Sequence, residues 1–489
     1  MQLESDIDIL QLKVTHGFSI LLVREFLLKV LAFGGQVLLA RILVPKDFGY
    51  YVILVFIVNF MALFSDIGLS TAIIQREKKP TDKQLSTIFY VQQLLSVTLI
   101  ILVFILAPVT KFVFPSFGIS QILMLRIFSI TILTASIRSV PISLLERKIS
   151  YSAISQIDIV GVAIYYLTVL WFASQGFGVW SFIYAALAKE VVEILVVFAY
   201  TKWLPIFYFQ LKEISDMMKF GSYIQGGGAL SFINSSITPV IGGINSGPQA
   251  VGLLDWSSTI AGIPETVTNN FGRVAFAGFS RIQKDIQLIQ RSLARSISLL
   301  SIIMLLFAVI IFGYSYDAAK IFYHNIWLQG IPYLYWFAGS IFFHAVMAAY
   351  GQGILVLGKS KSLFYATLFS TILGWILAYV LVKLYGPIGI AAASFFISMV
   401  LFGLYIHIAH ELQIHVGLFK ILFPKILVFA ASFLLAVVLR NIFKLSFTTL
   451  FVEILATSLF YLLLMTIFSK KDMANLIGII KSVLKNALI

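Results

Sequence analysis

The sequence contains no cysteine, and this absence excludes a disulfide framework, a thiolate metal site and a cysteine nucleophile. Charged residues are also scarce. They occupy 11% of the 489 positions, whereas about a quarter of a typical soluble protein is charged. This scarcity excludes a water-soluble enzyme with one apolar segment. The first 16 residues lack the basic region and the small-residue cleavage site of a signal peptide, so we expect the amino terminus to stay in the cytoplasm.

Apolar residues are correspondingly abundant. Hydrophobic residues make up 60% of the chain, aromatic residues 15%, and the mean hydropathy is +0.99. Division at Pro/Gly turns and charge clusters yields fourteen apolar segments of about 20 residues, the length that crosses a hydrocarbon core as a helix. They run approximately over 17–41, 48–74, 86–107, 121–143, 153–174, 178–200, 221–244, 250–271, 296–313, 331–356, 363–384, 388–408, 421–439 and 447–468. The sequence therefore predicts an all-α integral membrane protein with about 14 transmembrane helices.

The charges that remain are mostly basic, and their distribution predicts the orientation. The net charge of +14 would suggest a nucleic-acid partner in a soluble protein. In a membrane protein, lysine and arginine instead concentrate in cytoplasmic loops. Alternating the loops places 23 basic residues on the side of the amino terminus, seven on the opposite side and five within spans. We expect a multi-pass protein of the cytoplasmic (inner) membrane of a bacterium, with both termini cytoplasmic and no nucleic-acid partner.

Two short patterns recur at similar offsets. The pattern Pro-x-x-apolar-Gly-apolar-apolar begins at Pro45 and again at Pro248, an offset of 203 residues. A second pair of glycine turns aligns Gly178 with Gly389 at an offset of 211 residues. Six predicted spans separate the members of each pair, and both pairs fall on the outer side. This arrangement indicates a parallel repeat of two six-helix lobes followed by two C-terminal helices.

The repeat gives a predicted domain organisation. It comprises a cytoplasmic segment over 1–16, a first lobe over 17–205, a second lobe over 206–410, helices 13 and 14 over 411–468, and a cytoplasmic amphipathic tail over 469–489. The tail is assigned from apolar residues at helical spacing with lysines off that stripe.

Several motifs carry a family resemblance. The motifs are Leu39-Ala40-Arg41-Ile42-Leu43, Asp47-Phe48-Gly49, Ser65-Asp66-Ile67-Gly68 with Ile74-Gln75-Arg76, Met218-Lys219-Phe220-Gly221, and Phe271-Gly272-Arg273-Val274-Ala275-Phe276. They resemble the bacterial polysaccharide exporters, the Wzx-type lipid-linked oligosaccharide flippases of the multidrug/oligosaccharidyl-lipid/polysaccharide (MOP) exporter superfamily. The resemblance covers roughly residues 15–410 and is most specific over 36–76. One departure is Ile20, where many members have an aromatic residue.

The resemblance implies a function. Such proteins move undecaprenyl-diphosphate-linked oligosaccharide repeat units across the cytoplasmic membrane by alternating access, for O-antigen, capsule or exopolysaccharide biosynthesis. It implies a lipid-linked substrate, membrane lipids, coupling to H⁺ or Na⁺, and a polysaccharide polymerase as a partner. Two alternatives remain open. The first is an ion-coupled small-molecule or drug antiporter of the same superfamily, and the second is a membrane enzyme that polymerises or ligates polysaccharide.

The candidate site residues are ionisable residues within spans, where a charge is costly, together with arginines at the inner ends of spans four and eight. The basic candidates for a diphosphate and sugar cavity are Arg24, Arg138, Arg147, Lys189 and Arg273. Arginine is preferred because its guanidinium binds phosphate oxygens in a bidentate manner. The carboxylate candidates for a coupling ion are Asp66, Asp158, Asp255 and Glu265. Most of these charges fall in the first lobe, which we expect to supply most of the charged cavity wall.

Each candidate also has a purely structural interpretation. Arg24 could lie at the interface or pair with an acidic residue on another helix. Lys189 lies four residues before Glu193, which favours an internal ion pair, and Asp66 could cap or kink its helix near Gly68. The three remaining arginines could be positive-inside anchors. The sequence contains no enzyme motif that we recognise, so we expect a transporter without catalytic residues, metal or cofactor.

Overall fold

The computed structural model describes residues 24–25 and 27–487, and these contain helices and loops but no β-strand. The chain divides into two compact units, Met1–Gly252 (unit 1) and Leu253–Ile489 (unit 2). In unit 1 the helices are α1 (27–42), α2 (Pro45–Asp66), α3 (Leu69–Gln75), α4 (Asp82–Leu106), α5 (Ile119–Phe128), α6 (Ile130–Arg147), α7 (Tyr151–Ser174), α8 (Trp180–Thr201) and α9 (Ser215–Ser235). Helix α10 (Gly247–Ala261) contains the division between the units. The predicted lobe boundary between 205 and 206 stays a prediction.

Unit 2 contains the longest helix and the C-terminal helices. Its helices are α11 (Glu265–Ser280), α12 (Ile286–Phe322), α13 (Ile331–Gly339), α14 (Ile341–Val356), α15 (Ser360–Tyr385), α16 (Ile388–Glu411), α17 (Leu418–Ile442), α18 (Phe447–Phe468) and α19 (Lys470–Ala487). The predicted tail is thus helical over most of its length.

Among the described residues, ten helical stretches are long and apolar enough to span a membrane, and all ten coincide with predicted segments. The predicted all-α, multi-pass membrane architecture is confirmed. The count of fourteen stays a prediction. Of the four other segments, 17–41 begins outside the described residues, and 178–200 corresponds to α8, which carries three charges near its centre. The segments 221–244 and 250–271 correspond to interrupted helices.

The interruptions follow local sequence. After α9 the chain forms a π-helical turn over Thr238–Gly242 that contains Pro239, which has no N–H to continue an α-helical ladder. Within 250–271 the helix stops at Ala261 and restarts at Glu265, directly after Pro264. The segment 250–271 is therefore not one continuous helix, because a glycine turn followed by Pro264 separates α10 from α11. Its crossing of the membrane stays a prediction.

The connection between the predicted segments 296–313 and 331–356 is mostly helical. Helix α12 continues to Phe322, and a 3₁₀ turn covers Asn325–Gly330. Polar residues near this end of α12 contact neighbouring helices. Asp317 Oδ2 lies 2.6 Å from Arg440 Nε, and Tyr314 Oη lies 2.6 Å from Thr457 Oγ1. These partners satisfy polar groups within the helical connection.

Glycines of the first repeated pattern pack against each other. A Cβ on Gly49 would lie 1.6 Å from the carbonyl oxygen of Pro248, and a Cβ on Gly252 would lie 1.9 Å from that of Pro45. The two copies of the pattern therefore contact each other reciprocally, backbone to backbone. Only glycine permits this approach. The bulk of the unit 1 core lies beside this contact and includes Ile53.

Candidate functional site

A cavity of about 570 Å³ lies among the helices of unit 1. Its wall comes from α1, α2, α5, α6, α7 and α8, and we call it the tyrosine cavity. The polar and aromatic residues of the wall are Lys29, Tyr51, Asn59, Phe128, Thr131, Tyr165, Tyr166, Lys189 and Glu190. The volume falls within the range of small-molecule sites.

The tyrosines are fixed by contacts with one another and with the surrounding helices. The Tyr51 ring stacks on Phe182 with centroids 4.6 Å apart, and its hydroxyl lies 3.5 Å from the Tyr165 hydroxyl. Tyr166 fills the space beside Gly35, where a Cβ would lie 2.0 Å from its ring. A glycine on α1 thus allows Tyr166 to occupy the cavity wall. Such rings present an apolar face and a polar hydroxyl to a bound ligand.

An ion-pair network on α6 and α8 reaches the wall of the tyrosine cavity through Lys189 and Glu190. Arg138 on α6 contacts Glu193 and lies 3.3 Å from Glu190, both on α8. Lys189 Nζ lies 3.7 Å from Glu193 Oε1, as its i, i+4 spacing predicts. Glu193 is 1% exposed, and its carboxylate occupies the space over Gly161 on α7. Two cations and two carboxylates balance here, so the buried charges compensate one another.

Arg24 has the pairing that the structural interpretation proposed. Its Nη2 atom lies 2.6 Å from Asp158 Oδ2 on α7, and both side chains are only partly buried. Two of the predicted candidates, one for phosphate and one for a coupling ion, are therefore brought together. Their transport roles stay predictions.

Arg147 is engaged by the backbone. Its Nη1 atom donates to the carbonyl of Ile73 at 2.8 Å and to that of Arg76, and its Nη2 atom donates to that of Glu77 at 3.0 Å. These carbonyls end α3, so the guanidinium caps that helix. A diphosphate contact by Arg147 stays a prediction, and it would compete with this cap.

Asp66 lies where the chain turns between α2 and α3. It accepts hydrogen bonds from the backbone N–H of Ser70 at 3.1 Å and from the Ser70 hydroxyl at 2.9 Å, and it contacts Gln92. Ile67 and Gly68 both have positive φ, at 49° and 72°. This geometry corresponds to the capping and kinking alternative, and a coupling role for Asp66 stays a prediction.

Unit 2 contains a second, larger cavity of about 830 Å³. We call it the histidine cavity. His344 Nε2 on α14 lies 3.7 Å from Glu265 Oε1, which follows the break between α10 and α11. Thr268, Asn269 and Gln352 add neutral polar groups to the same wall. A carboxylate and an imidazole within one cavity can exchange a proton.

The structure gives less information on the two remaining candidates. Asp255 on α10 forms no ion pair within the described part of the chain. The side chain of Arg273 lies outside the described residues. Both stay predictions.

Sequence reasoning missed the aromatic part of the site. Tyr51, Tyr165 and Tyr166 lie on two helices far apart in sequence, and aromatic residues are common in any span. His344 was not among the candidate residues either, although it borders a cavity beside Glu265. One signal was available, since adjacent tyrosines at 165–166 place polar hydroxyls in an apolar segment that has few other hydrogen-bonding groups.

The fold is similar to those of known transporters. It matches the structure titled "Lipid II flippase MurJ, inward closed conformation" with a TM-score of 0.75 over 92% of this chain and 98% of that chain, at 16% identity. It matches an inward-facing multidrug resistance MATE family transporter of the MOP superfamily with a TM-score of 0.60 over 78% of this chain and 95% of that one, also at 16% identity. The likeness shows a helical membrane-protein fold similar to the folds of these two transporters.

Residues 38–332 match the model of the family described as "Polysaccharide biosynthesis protein", and the chain belongs to that family. The predicted resemblance to polysaccharide exporters of this superfamily is thereby confirmed. The chain is 24% identical over 314 residues to the teichuronic acid biosynthesis protein TuaB of Bacillus subtilis (strain 168), a match that covers 63% of each chain. It is 20% identical over 298 residues to the succinoglycan biosynthesis transport protein ExoT of Rhizobium meliloti (strain 1021), which covers 61% of this chain and 60% of that one. The matched stretch spans less than two thirds of either relative.

Proposed function

We propose that this protein is a flippase that moves undecaprenyl-diphosphate-linked oligosaccharide repeat units across the cytoplasmic membrane for surface polysaccharide biosynthesis. Membership of the polysaccharide biosynthesis protein family supports the saccharide substrate, and the MOP transporter fold supports transport by alternating access. In this proposal the protein is a transporter rather than an enzyme.

The tyrosine cavity is the observation that carries the proposal. Its tyrosines present faces that pack against sugar rings and hydroxyls that bond to sugar hydroxyls, while Asn59 and Thr131 add further hydrogen-bonding groups. The polyprenyl tail can remain in the bilayer because only the polar headgroup needs this wall. The cavity is therefore assigned to the saccharide.

The basic residues are assigned to the diphosphate. Lys189 borders the tyrosine cavity directly, and Arg138 contacts the same α8 carboxylates. Arg24 would exchange Asp158 for a phosphate oxygen as the headgroup passes, since a guanidinium pairs with either anion. Arg273 is assigned to the inner entrance from its position in the family motif.

Coupling is assigned to the histidine cavity. Glu265 and His344 lie 3.7 Å apart in this wall, and a proton or Na⁺ bound there would change the charge of the wall. We also propose that both termini are cytoplasmic and that a polysaccharide polymerase receives the product on the outer side.

Substitution of two arginines tests the substrate assignment. Arg24→Ala and Arg273→Ala are each expected to reduce surface polysaccharide about tenfold, because a charge-assisted hydrogen bond contributes about 1.5–3 kcal/mol. The measurement is cell-surface polysaccharide, with membrane abundance of the protein recorded beside it. The control is Arg291→Ala, an exposed arginine on α12 outside both cavities.

Two results would contradict the assignment. Wild-type polysaccharide in both single variants and in the double variant would remove the arginines from the transport path. An unchanged glycolipid distribution with altered drug tolerance after deletion of the gene would favour the alternative of an ion-coupled drug antiporter.

A further inference from the structure

Unit 2 contains another cavity, which shares no lining residue with the two cavities described above. It measures about 610 Å³ and is bounded by α12, α17, α18 and α19. We call it the basic pocket. Its charged residues are Arg295, Lys420, Lys425, Lys470, Lys471 and Asp472. Five cations thus surround a single carboxylate.

The single carboxylate is already compensated within the fold. Lys425 is 2% exposed, and its ammonium group donates to Ser298 Oγ at 2.8 Å, to the Ile421 carbonyl at 2.9 Å and to Asp472 Oδ2 at 3.2 Å. Asp472 also accepts a hydrogen bond from Ser298. These bonds use all three donors of the lysine and join the start of α19 to α12 and α17.

The other cations leave the basic pocket strongly positive. Arg295 Nη2 donates to Asn475 Oδ1 at 2.9 Å, which leaves most of its donors for another acceptor. Lys420, Lys470 and Lys471 are exposed and form no ion pair within the described residues. The first turn of α19 closes on the Ser469 carbonyl, so the N–H groups of Lys470 and Lys471 have no partner within the helix. The N-terminus of a helix favours the binding of an anion. At α19 this N-terminus lies beside the four cations of the basic pocket other than Lys425.

Apolar surface adjoins these cations. Ile467 and Phe468, which help to line the basic pocket, are 63% and 59% exposed, and Phe419 on the first turn of α17 is 76% exposed. In a membrane-spanning protein these side chains face acyl chains. A ligand with an anionic headgroup and an apolar tail can contact both the cations of the basic pocket and the apolar side chains beside them, whereas a free anion can contact only the cations.

We infer that the basic pocket binds the phosphate headgroup of an anionic glycerophospholipid of the bilayer, with its acyl chains along the exposed apolar ends of α17 and α18. All five cations lie on the side that the distribution of charge predicts to be cytoplasmic, where basic pockets between helices commonly hold such headgroups. Because the bound lipid bridges α19 to α12 and α17, it stabilises the C-terminal helices. This binding does not depend on the transported substrate.

The test is lipid retention by the purified full-length protein, measured by native mass spectrometry after addition of phosphatidylglycerol or phosphatidylcholine. The wild type is expected to retain phosphatidylglycerol in preference to phosphatidylcholine. The double substitution Lys470→Gln with Lys471→Gln is expected to weaken phosphatidylglycerol retention about tenfold or more. Each basic side chain near an anionic lipid surface contributes to the binding affinity, and this variant removes two of them. The matched control is Lys359→Gln with Lys361→Gln, an exposed pair before and within the first turn of α15 on the same predicted side.

Three results would overturn the inference. The first is unchanged phosphatidylglycerol retention in the Lys470/Lys471 variant. The second is an equal loss of phosphatidylglycerol retention in the Lys359/Lys361 control. The third is that inorganic phosphate displaces the bound lipid as effectively as phosphatidylglycerol vesicles do. Thermal unfolding in detergent checks that each variant is folded. Lys420→Gln provides a second variant on a different helix, and it must weaken retention in the same direction. Retention is measured without transport, so failure of the flippase proposal leaves this result unaffected.

Discussion

Three of the basic candidates in unit 1 pair with carboxylates on other helices or on their own helix. Arg24 pairs with Asp158, and Arg138 and Lys189 share the carboxylates of α8. In the proposed function, the diphosphate of the substrate meets cations that are already paired with carboxylates. The phosphate would replace a carboxylate as the partner of a cation, so that no cation is left buried and unpaired, which would be energetically costly.

Part of this arrangement was predictable at the scale of single residues. The Lys189–Glu193 pair follows from i, i+4 spacing on one helix, and Asp66 beside Gly68 follows from local turn chemistry. The Arg24–Asp158 pair joins a residue before α1 to α7, and no local pattern determines which parts of the chain become neighbours. The cavity tyrosines were missed for the same reason.

Gly35 supplies a residue-scale prediction about the tyrosine cavity. A Cβ at this position would lie 2.0 Å from the Tyr166 ring, so Gly35→Ala is expected to displace the ring into the cavity and to lower surface polysaccharide severalfold. The neighbouring Gly34→Ala is the control, because nothing lies within 4 Å of its added Cβ. Equal polysaccharide levels in the two variants, at equal protein abundance, would remove Tyr166 from the substrate path.

Helix starts were readable from sequence, and helix interruptions were not. Pro45 begins α2 with Asp47 accepting from the Val44 N–H at 3.2 Å, and Thr81 caps α4 through the Gln84 N–H at 3.2 Å. The breaks after α9 and α10 lie inside apolar stretches. Hydropathy averaged over a span is insensitive to a π turn or to a short turn between a glycine and a proline. The interruptions in the segments 221–244 and 250–271 could therefore not be predicted from hydropathy.

The reciprocal glycine contact supplies an element-scale prediction. Gly49→Ala or Gly252→Ala places a methyl group within 2 Å of a backbone carbonyl oxygen, and backbone cannot move aside as a side chain can. Each variant is expected to lower the free energy of unfolding by about 1–3 kcal/mol, seen as a lower thermal unfolding midpoint in detergent.

Gly403→Ala on α16 is the control for this prediction. It has open space at its Cβ, so its midpoint is expected to be unchanged or slightly raised, because alanine is the better helix former. Wild-type midpoints in both Gly49→Ala and Gly252→Ala would mean that α2 and α10 do not pack as described.

At the scale of the whole molecule, composition predicted the class of protein and sequence motifs predicted the family. The low charge content required many spans, and the motifs over 36–76 lie almost wholly within the stretch matched by the family model. The unequal distribution of polar groups between cavities could not be predicted, because it depends on which helix faces meet. Unit 1 has an aromatic and charge-balanced cavity, whereas unit 2 has a carboxylate and an imidazole.

The central claim is transport of a lipid-linked saccharide from the inner to the outer leaflet. Depletion of the protein in its native bacterium, followed by leaflet-resolved analysis of undecaprenyl-diphosphate glycolipids, tests it most directly. We predict that the glycolipid accumulates on the cytoplasmic leaflet and that re-expression of the wild-type protein restores its normal distribution. A glycolipid that reaches the outer leaflet at the wild-type rate in depleted cells would contradict the claim.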